Sequence, residues 1–227
     1  VLGLPLDQLA GATFTDRRNA IADYLTEYRG GTPGEVAPGA YVRGYEAFDY
    51  WLASVGVTKV LGRQGSAWIR ADQTALLLEF SAAYVPDLPG LDELQLDSLA
   101  TTNTHYSPGI EETGDALRIN PFSQPGKGFP RDFSWGYKAA AIWAYNDVWL
   151  QGLRVRPQMI LFHDVYGTSP GLGGNFQHGR KIALTGVNFN YQNRYNFSVD
   201  YFGFFGGGSG NRLRDRDFLN VSASYSF

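Results

Sequence analysis

The chain contains no cysteine and carries few charges, and both features limit the kinds of protein it can be. None of its 227 residues is Cys, which excludes a disulfide framework and a thiolate metal site. Charged residues make up only 18% of the chain, and the formal net charge is −3. Lys and Arg are scattered without a long basic block, which argues against a nucleic-acid partner.

Long apolar runs are also missing. No stretch approaches the ~18 consecutive apolar residues that a transmembrane helix requires, so a helical membrane protein is excluded. Any membrane-spanning structure of this chain would have to be a closed β-sheet. The chain is instead rich in aromatic residues, at 15%, and in glycine, with 28 residues.

The C-terminal segment alternates apolar and small polar side chains up to the last residue. A period of two places Leu219, Val221 and Ala223 on one face with Tyr225 and Phe227, and serines on the other. This pattern is typical of a transmembrane β-strand, and a terminal aromatic residue is typical of the closing strand of bacterial outer-membrane barrels. Tyr225 and Phe227 are therefore the predicted C-terminal assembly signal, through which the barrel-assembly machinery would engage this strand.

The same alternation predicts about seven strands, and hence an all-β fold that is the C-terminal portion of an antiparallel transmembrane β-barrel. In the fifth strand Ile182 and Leu184 break the phase, which predicts a bulge near Thr185. Pro157 is expected to weaken the fourth strand or to mark another bulge. The predicted strands are Tyr45–Val60, Gln73–Val85, Ser134–Val148, Leu153–Gly167, Lys181–Tyr191, Tyr195–Phe205 and Asp217–Phe227.

Polar side chains of mixed charge are predicted to point inward on neighbouring strands. They would either set the selectivity of a pore or form a network of ion pairs that fills a narrow barrel, and the sequence leaves both interpretations open. Basic residues between 211 and 217 would meet lipopolysaccharide at the outer rim or belong to a solvated loop. The lumen-facing candidates are Glu79, Lys138, Asn146, Arg154, Arg156, Asp164 and Asp200.

The predicted connections alternate between long and short. Segments 1–44, 88–133, 168–180 and 206–216 are predicted to be long, and 61–71, 149–152 and 192–194 to be short. Outer-membrane barrels have short periplasmic turns and longer extracellular loops, so Phe227 would lie on the periplasmic side. The two longest segments, 1–44 and 88–133, would be extracellular or inserted into the lumen, and an amphipathic helix is predicted within the first of them, from Asp16 to Tyr28.

An odd number of strands does not make a self-contained bacterial barrel, which has an even count of ~8 or more. The unpaired edge of an open sheet would be very costly in lipid. We therefore expect residues 1–227 to form a single barrel domain that is incomplete at its N-terminus, with the missing strands supplied by the same protein.

Seven short motifs are spread over the chain from residue 45 to residue 218: Tyr45–Trp51, Thr58–Gly62, Ala71–Gln73, Ser134–Tyr137, His163–Gly167, Gly179–Lys181 and Asp215–Phe218. Together they resemble a proteobacterial outer-membrane family, domain of unknown function 1302, over residues 40 to 227. The resemblance implies an outer-membrane barrel that works with an RND-type permease and a periplasmic or lipoprotein partner in the transport of hydrophobic compounds across the envelope. It implies no catalytic residue and no cofactor.

Two other chemistries have weak signals. Gly167–Gly171 matches the G-x-S-x-G pattern of esterases and lipases with His163 nearby, but Pro170 follows Ser169 and cannot donate a hydrogen bond to an oxyanion. The three histidines lack the spacing of a metal site. We therefore expect no enzyme activity and no metal, with a rim esterase and a soluble β-sandwich or ligand-binding barrel as the alternatives.

Overall fold

A computed structural model gives the structure of the protein. It describes residues 28–31, 41, 43–90, 93–94, 96–98, 100, 128–171 and 175–227. Most of the two predicted long segments, 1–44 and 88–133, lies outside the described residues, as does the predicted helix from Asp16 to Tyr28 except for Tyr28. Among the described residues, no helix has the length and apolar character needed to span a lipid bilayer.

Seven strands form one antiparallel sheet in which every strand pairs with its neighbours along the chain. Within the described residues no strand pairs with the outer edge of the first or the last strand, so the sheet is not closed into a barrel. The prediction of an all-β antiparallel fold is confirmed. The strands are β1 (Trp51–Leu61), β2 (Gln73–Tyr84), β3 (Phe133–Asn146), β4 (Leu153–Tyr166), β5 (Arg180–Tyr191), β6 (Tyr195–Gly206) and β7 (Phe218–Tyr225).

The largest difference from the predicted bounds is at the start of β1. The alternation predicts a strand from Tyr45, but β1 begins at Trp51, which pairs with Tyr84, the last residue of β2. Residues 45–50 extend past the end of β2 and find no ladder partner there, because the residues after Tyr84 turn away into the next connection. Pairing, and not side-chain pattern alone, therefore fixes where β1 begins.

Both predicted bulges are wrong. The register of β5 is continuous on both sides, with Thr185 opposite Met159 and Tyr201. Pro157 pairs in register with Val187 of β5. The shift in register lies elsewhere, between β3 and β4, where Trp135 faces Tyr166 and the next residue, Gly136, faces Asp164. The extra residue in β4 is thus Val165, next to the end of the strand.

The connections lie at two ends of the sheet. One end, the short-turn end, carries 62–72, 147–152 and 192–194, and the other, the loop end, carries 85–132, 167–179 and 207–217. The predicted contrast in length is weaker than expected, since 62–72 and 207–217 both have eleven residues.

Asp72 fixes the first turn to the sheet. Its carboxylate accepts the Asn146 backbone N–H at 2.8 Å and pairs with Arg63 at 2.6 Å. The Asn146 N–H and the Arg63 guanidinium hold the pKa of Asp72 below its usual value. The Asp72 carboxylate therefore joins the turn 62–72 to β3, and both its hydrogen bond from Asn146 and its pair with Arg63 favour the ionised form.

The two faces of the sheet differ in character. The apolar face is defined by the row Val57, Leu78, Ala139, Leu161 and Ala183, which are consecutive cross-strand partners. Along each strand the residues of the other face, here called the polar face, alternate with these. The apolar face has no covering layer within the described residues, and Val57 is 62% exposed.

The buried apolar residues lie mainly at the loop end. Val85, Phe129 and Phe176 are each at most 6% exposed, and all three belong to connections rather than to strands. Their packing brings the described parts of the loops together at one end of the sheet. The core of the described structure is therefore a cap at the loop end, whereas the strands expose both faces.

Candidate functional site

The candidate site lies on the polar face. The strand register places all seven predicted lumen-facing residues on this face, from Asp164 near the loop end to Asn146 and Arg154 at the short-turn end. That this face lines a lumen stays a prediction. The contacts described below show which of these side chains meet and which do not.

Glu79 and Lys138 are direct cross-strand partners in the half of the polar face that is nearer the loop end. The Lys138 Nζ lies 3.8 Å from the Glu79 Oε2, and no hydrogen bond joins the two among the described residues. The same ammonium lies 5.4 Å from the ring centroid of Phe162. Both side chains are 39% exposed, so their mutual attraction contributes little stability and their polar atoms face open space.

Asp164 holds the connection between β4 and β5 over the polar face. Its carboxylate pairs with Arg180 at 2.7 Å and accepts the Gln177 backbone N–H at 3.0 Å. The hydroxyl of Ser169, in the same connection, hydrogen-bonds to that of Ser134 at 3.1 Å. Arg180 was absent from the predicted site, although it supplies the only ion-pair partner of Asp164 within the described part of the chain.

A cavity of about 300 Å³ lies between this connection and the sheet. We call it the loop cavity. Phe176, buried to 6% exposure, closes it from the side of the connection. Its lining includes Ser54, Glu79, Lys138, Phe162, Asn175 and Phe176. The loop cavity therefore brings the Glu79–Lys138 pair and an aromatic ring into one partly enclosed space.

A second group of polar contacts lies nearer the short-turn end. The Gln158 amide donates a hydrogen bond to the Asp200 carboxylate at 3.0 Å, although β5 runs between their strands. Gly186 is the β5 residue that separates them, and its missing side chain leaves room for the bond. Arg154 donates to the Asn193 side chain at 3.3 Å. Asp200 is thus paired with a neutral amide.

Apolar side chains interrupt the polar face between these two groups. Ile182 and Leu184 lie on this face, opposite to Val187, so they are off the phase of the apolar face as predicted, but β5 alternates regularly and no bulge accounts for them. Cross-strand partners from β4 and β6 flank them. We call the set the apolar patch: Ile160, Phe162, Ile182, Leu184, Phe202 and Phe204. Phe162 belongs both to this patch and to the lining of the loop cavity.

Ser169 and His163, the two residues of the esterase-like signal, do not form a hydrogen-bonded catalytic pair in the described structure. The Ser169 hydroxyl is 1% exposed and contacts Ser134 and the Phe176 backbone N–H. The His163 ring lies on the apolar face and contacts Tyr137 with a centroid distance of 5.3 Å. Among the described residues, no group of three or more His, Asp or Glu side chains could hold a metal ion.

The chain matches a family model described as protein of unknown function DUF1302, over residues 5–227. It belongs to this family. The match begins well before residue 40, where the resemblance of the sequence motifs begins. Searches of curated proteins and of solved structures found no match.

In this DUF1302 chain, some contacts of the candidate site can be anticipated from the sequence and others cannot. Gly186 stands inside a predicted strand, between Thr185 and Val187, and a glycine inside a strand indicates a close approach of other groups. The approaching groups themselves, Gln158 and Asp200, are 42 residues apart and are brought together only by the sheet. The Asp164–Arg180 pair spans a connection whose path the strand pattern does not specify.

Gly186→Ala is expected to destabilise the DUF1302 chain by about 1–3 kcal/mol, the usual cost of overpacking. The new methyl group would overlap the Asp200 carboxylate and break the Gln158–Asp200 bond. Gly56→Ala is the matched control, because it lies in a strand on the same face and the nearest atom to its added methyl group is 3.5 Å away. The measurement is the free energy of unfolding in denaturant. An equal change in the two variants would contradict the role given to Gly186.

Proposed function

We propose that the DUF1302 chain is part of a closed transmembrane β-barrel of the bacterial outer membrane, and that the polar face lines its interior. The barrel acts as a conduit or docking component of a trans-envelope transport system for hydrophobic small molecules or lipids. The observation that carries the proposal is the exposed apolar face of the sheet. An exposed apolar surface of this extent marks contact with a membrane or with another protein.

The distribution of aromatic residues on the apolar face favours a membrane. Trp135 and Tyr166 lie near the loop end, and Tyr145, Tyr191 and Tyr195 lie near the short-turn end. Tyr145 follows Trp135 by ten residues in β3. At ~3.4 Å per residue and a tilt of ~45°, these two positions are ~24 Å apart along the membrane normal, close to the ~25 Å apolar band of outer-membrane barrels.

Two charged residues lie on the apolar face within the described strands, and both fit the same placement. Lys181 is the second residue of β5, and Lys59 lies two residues before the end of β1. A lysine near the end of a membrane strand lays its apolar stem along the apolar surface and places its ammonium group at the membrane–water interface. Neither charge therefore has to remain within the hydrocarbon region.

The free edges of β1 and β7 require partners in this proposal. Backbone N–H and C=O groups without partners are very costly in lipid, so a barrel has no open edge. We propose that further strands of the same protein pair with both edges and close the barrel. The C-terminal strand, with Tyr225 and Phe227, engages the assembly machinery, the loop end contacts lipopolysaccharide, and an RND-type permease with a periplasmic or lipoprotein component completes the system.

A pair of single-cysteine variants tests the membrane placement. The chain has no native cysteine, so a water-soluble maleimide reports only the introduced thiol. Leu77 and Leu78 are adjacent in β2 and lie on the polar and the apolar face, respectively. In the protein folded into lipid vesicles, Leu77→Cys is expected to react and Leu78→Cys to be protected. Equal rates of reaction at the two thiols would contradict the proposed membrane placement.

The conduit role has a separate readout. Vesicles that contain the protein are expected to take up a fluorescent apolar compound faster than empty vesicles. If the two cysteines differ in reactivity as expected but uptake is not accelerated, the result supports the barrel and contradicts the proposed conduit role.

A further inference from the structure

We propose that Glu79 and Lys138 bind the hydroxyl group of a long-chain alcohol whose hydrocarbon chain lies on the apolar patch. The inference rests on the proposed function, because it takes the polar face as the interior of a barrel. It goes beyond that function by naming a binding site and the chemical class of its ligand.

The Glu79–Lys138 pair offers an acceptor and a donor side by side. With 3.8 Å between Nζ and Oε2 and no hydrogen bond joining them in the described structure, both groups have unused hydrogen-bonding capacity. Glu79 receives one long contact, at 3.5 Å, from the Ser81 hydroxyl. A hydroxyl group both donates and accepts, so one such group could bond to Glu79 and Lys138 at the same time.

The charges around the pair disfavour an ionised head group. A carboxylate that approached Lys138 would also approach Glu79, and Asp164 lines the same loop cavity. Arg180 already pairs with Asp164 at 2.7 Å and is not free to compensate a second anion. An ammonium head group would meet Lys138 in the same way. A neutral head group avoids both repulsions.

The apolar patch continues directly from the pair. Lys138 is the cross-strand partner of Phe162, whose next partners are Ile182 and Phe204. One row below lie Ile160, Leu184 and Phe202. Three strands at ~4.8 Å and two rows at ~7 Å form a surface long enough for an extended alkyl chain.

Position-specific labelling tests the site in the full chain folded into lipid vesicles. The probe is 1-dodecanol with a photoreactive diazirine near the end of its chain, and the labelled peptides are located by mass spectrometry. Labelling is expected in β4 and β5 at residues of the apolar patch. Unlabelled 1-dodecanol is expected to compete about tenfold better than dodecanoate or dodecane, as the loss of one hydrogen bond to a charged group predicts.

Variants of the pair separate the head-group site from a general affinity for hydrocarbon. Lys138→Met is expected to weaken labelling about tenfold, because one charged hydrogen-bond partner is lost. Glu79→Gln is expected to raise the competition by dodecanoate relative to dodecanol, because it removes the repulsive charge. Lys59→Met, on the apolar face, is the matched control and should change neither. The selectivity ratio for Glu79→Gln remains informative even if Lys138→Met does not fold.

Equal competition by dodecanol, dodecanoate and dodecane would overturn the proposed head-group site, as would an absence of competed labelling at the apolar patch. If Leu77→Cys and Leu78→Cys still differ in reactivity, that result contradicts the proposed alcohol site and leaves the proposed barrel unaffected. Equal reactivity of the two cysteines would instead remove the proposed function itself.

Discussion

Ala139→Arg is expected to destabilise the bilayer-inserted protein by ~2–4 kcal/mol, whereas Ala140→Arg, at the next residue, is expected to cost ~1 kcal/mol or less. The two residues lie on opposite faces of β3, Ala139 between Leu78 and Leu161, and Ala140 between Leu77 and Ile160. Ala139 is near the midpoint between Trp135 and Tyr145, where an arginine is most costly if the apolar face contacts lipid as proposed. The measurement is denaturant unfolding in vesicles, with heat-modifiable gel mobility as the test of folding.

The neighbouring variant controls for effects of arginine that are unrelated to lipid. Both substitutions add the same side chain to the same strand, so differences in strand propensity and overall charge cancel. If the polar face were in lipid and the apolar face in water, the order of the two costs would be reversed. Equal costs would indicate that neither face contacts lipid, as in the soluble alternative.

The period of two predicts the strands well because each strand exposes both faces and contacts only its neighbours in the chain. The bounds of β2 to β7 agree with the predicted ones to within two residues at each end. The exception is β1, because its start depends on where its partner ends. Trp51 faces Tyr84, and the alternation of residues 45–50 carries no information about that limit.

The apolar patch shows what a single strand cannot reveal. In β5, Ile182 and Leu184 are out of phase with Val187, and the pattern of this strand alone predicts a bulge because it takes one face to be polar along its whole length. Across the sheet they have apolar partners, Phe162 and Ile160 in β4 and Phe204 and Phe202 in β6. A polar face that is apolar at mid-length is a property of neighbouring strands in register.

The bulge between β3 and β4 has a signal in the sequence, two glycines, that can be interpreted only once the register of the strands is known. Gly136 and Gly167 flank the point where β3 and β4 shift, and an added methyl group at either would meet the backbone of the other strand. The sequence shows two glycines 31 residues apart. Their partnership requires knowing which strands pair.

Gly167→Ala is expected to destabilise the protein by about 2–4 kcal/mol, the combined cost of a left-handed backbone in a non-glycine residue and of overpacking. Gly167 has φ of 75°. An added methyl group would overlap the Phe133 carbonyl oxygen and lie 2.7 Å from the Ser134 Cα. Relief of this overlap requires the end of β4 to move away from β3. The measurement is the free energy of unfolding in denaturant.

Gly171→Ala separates backbone strain from crowding in the same connection. Gly171 has φ of 80°, but no atom of the described residues lies within 4 Å of an added methyl group, so a cost of about 1 kcal/mol from the backbone alone is expected. Movement of Gly167 would also disturb the Ser134–Ser169 hydrogen bond that holds the connection over the loop cavity. Ser81 also lines the loop cavity. In a Ser81→Cys background, Gly167→Ala is therefore expected to raise the rate of maleimide labelling and Gly171→Ala to leave it unchanged. The same rate in both would mean that the β4 end does not control access to the cavity.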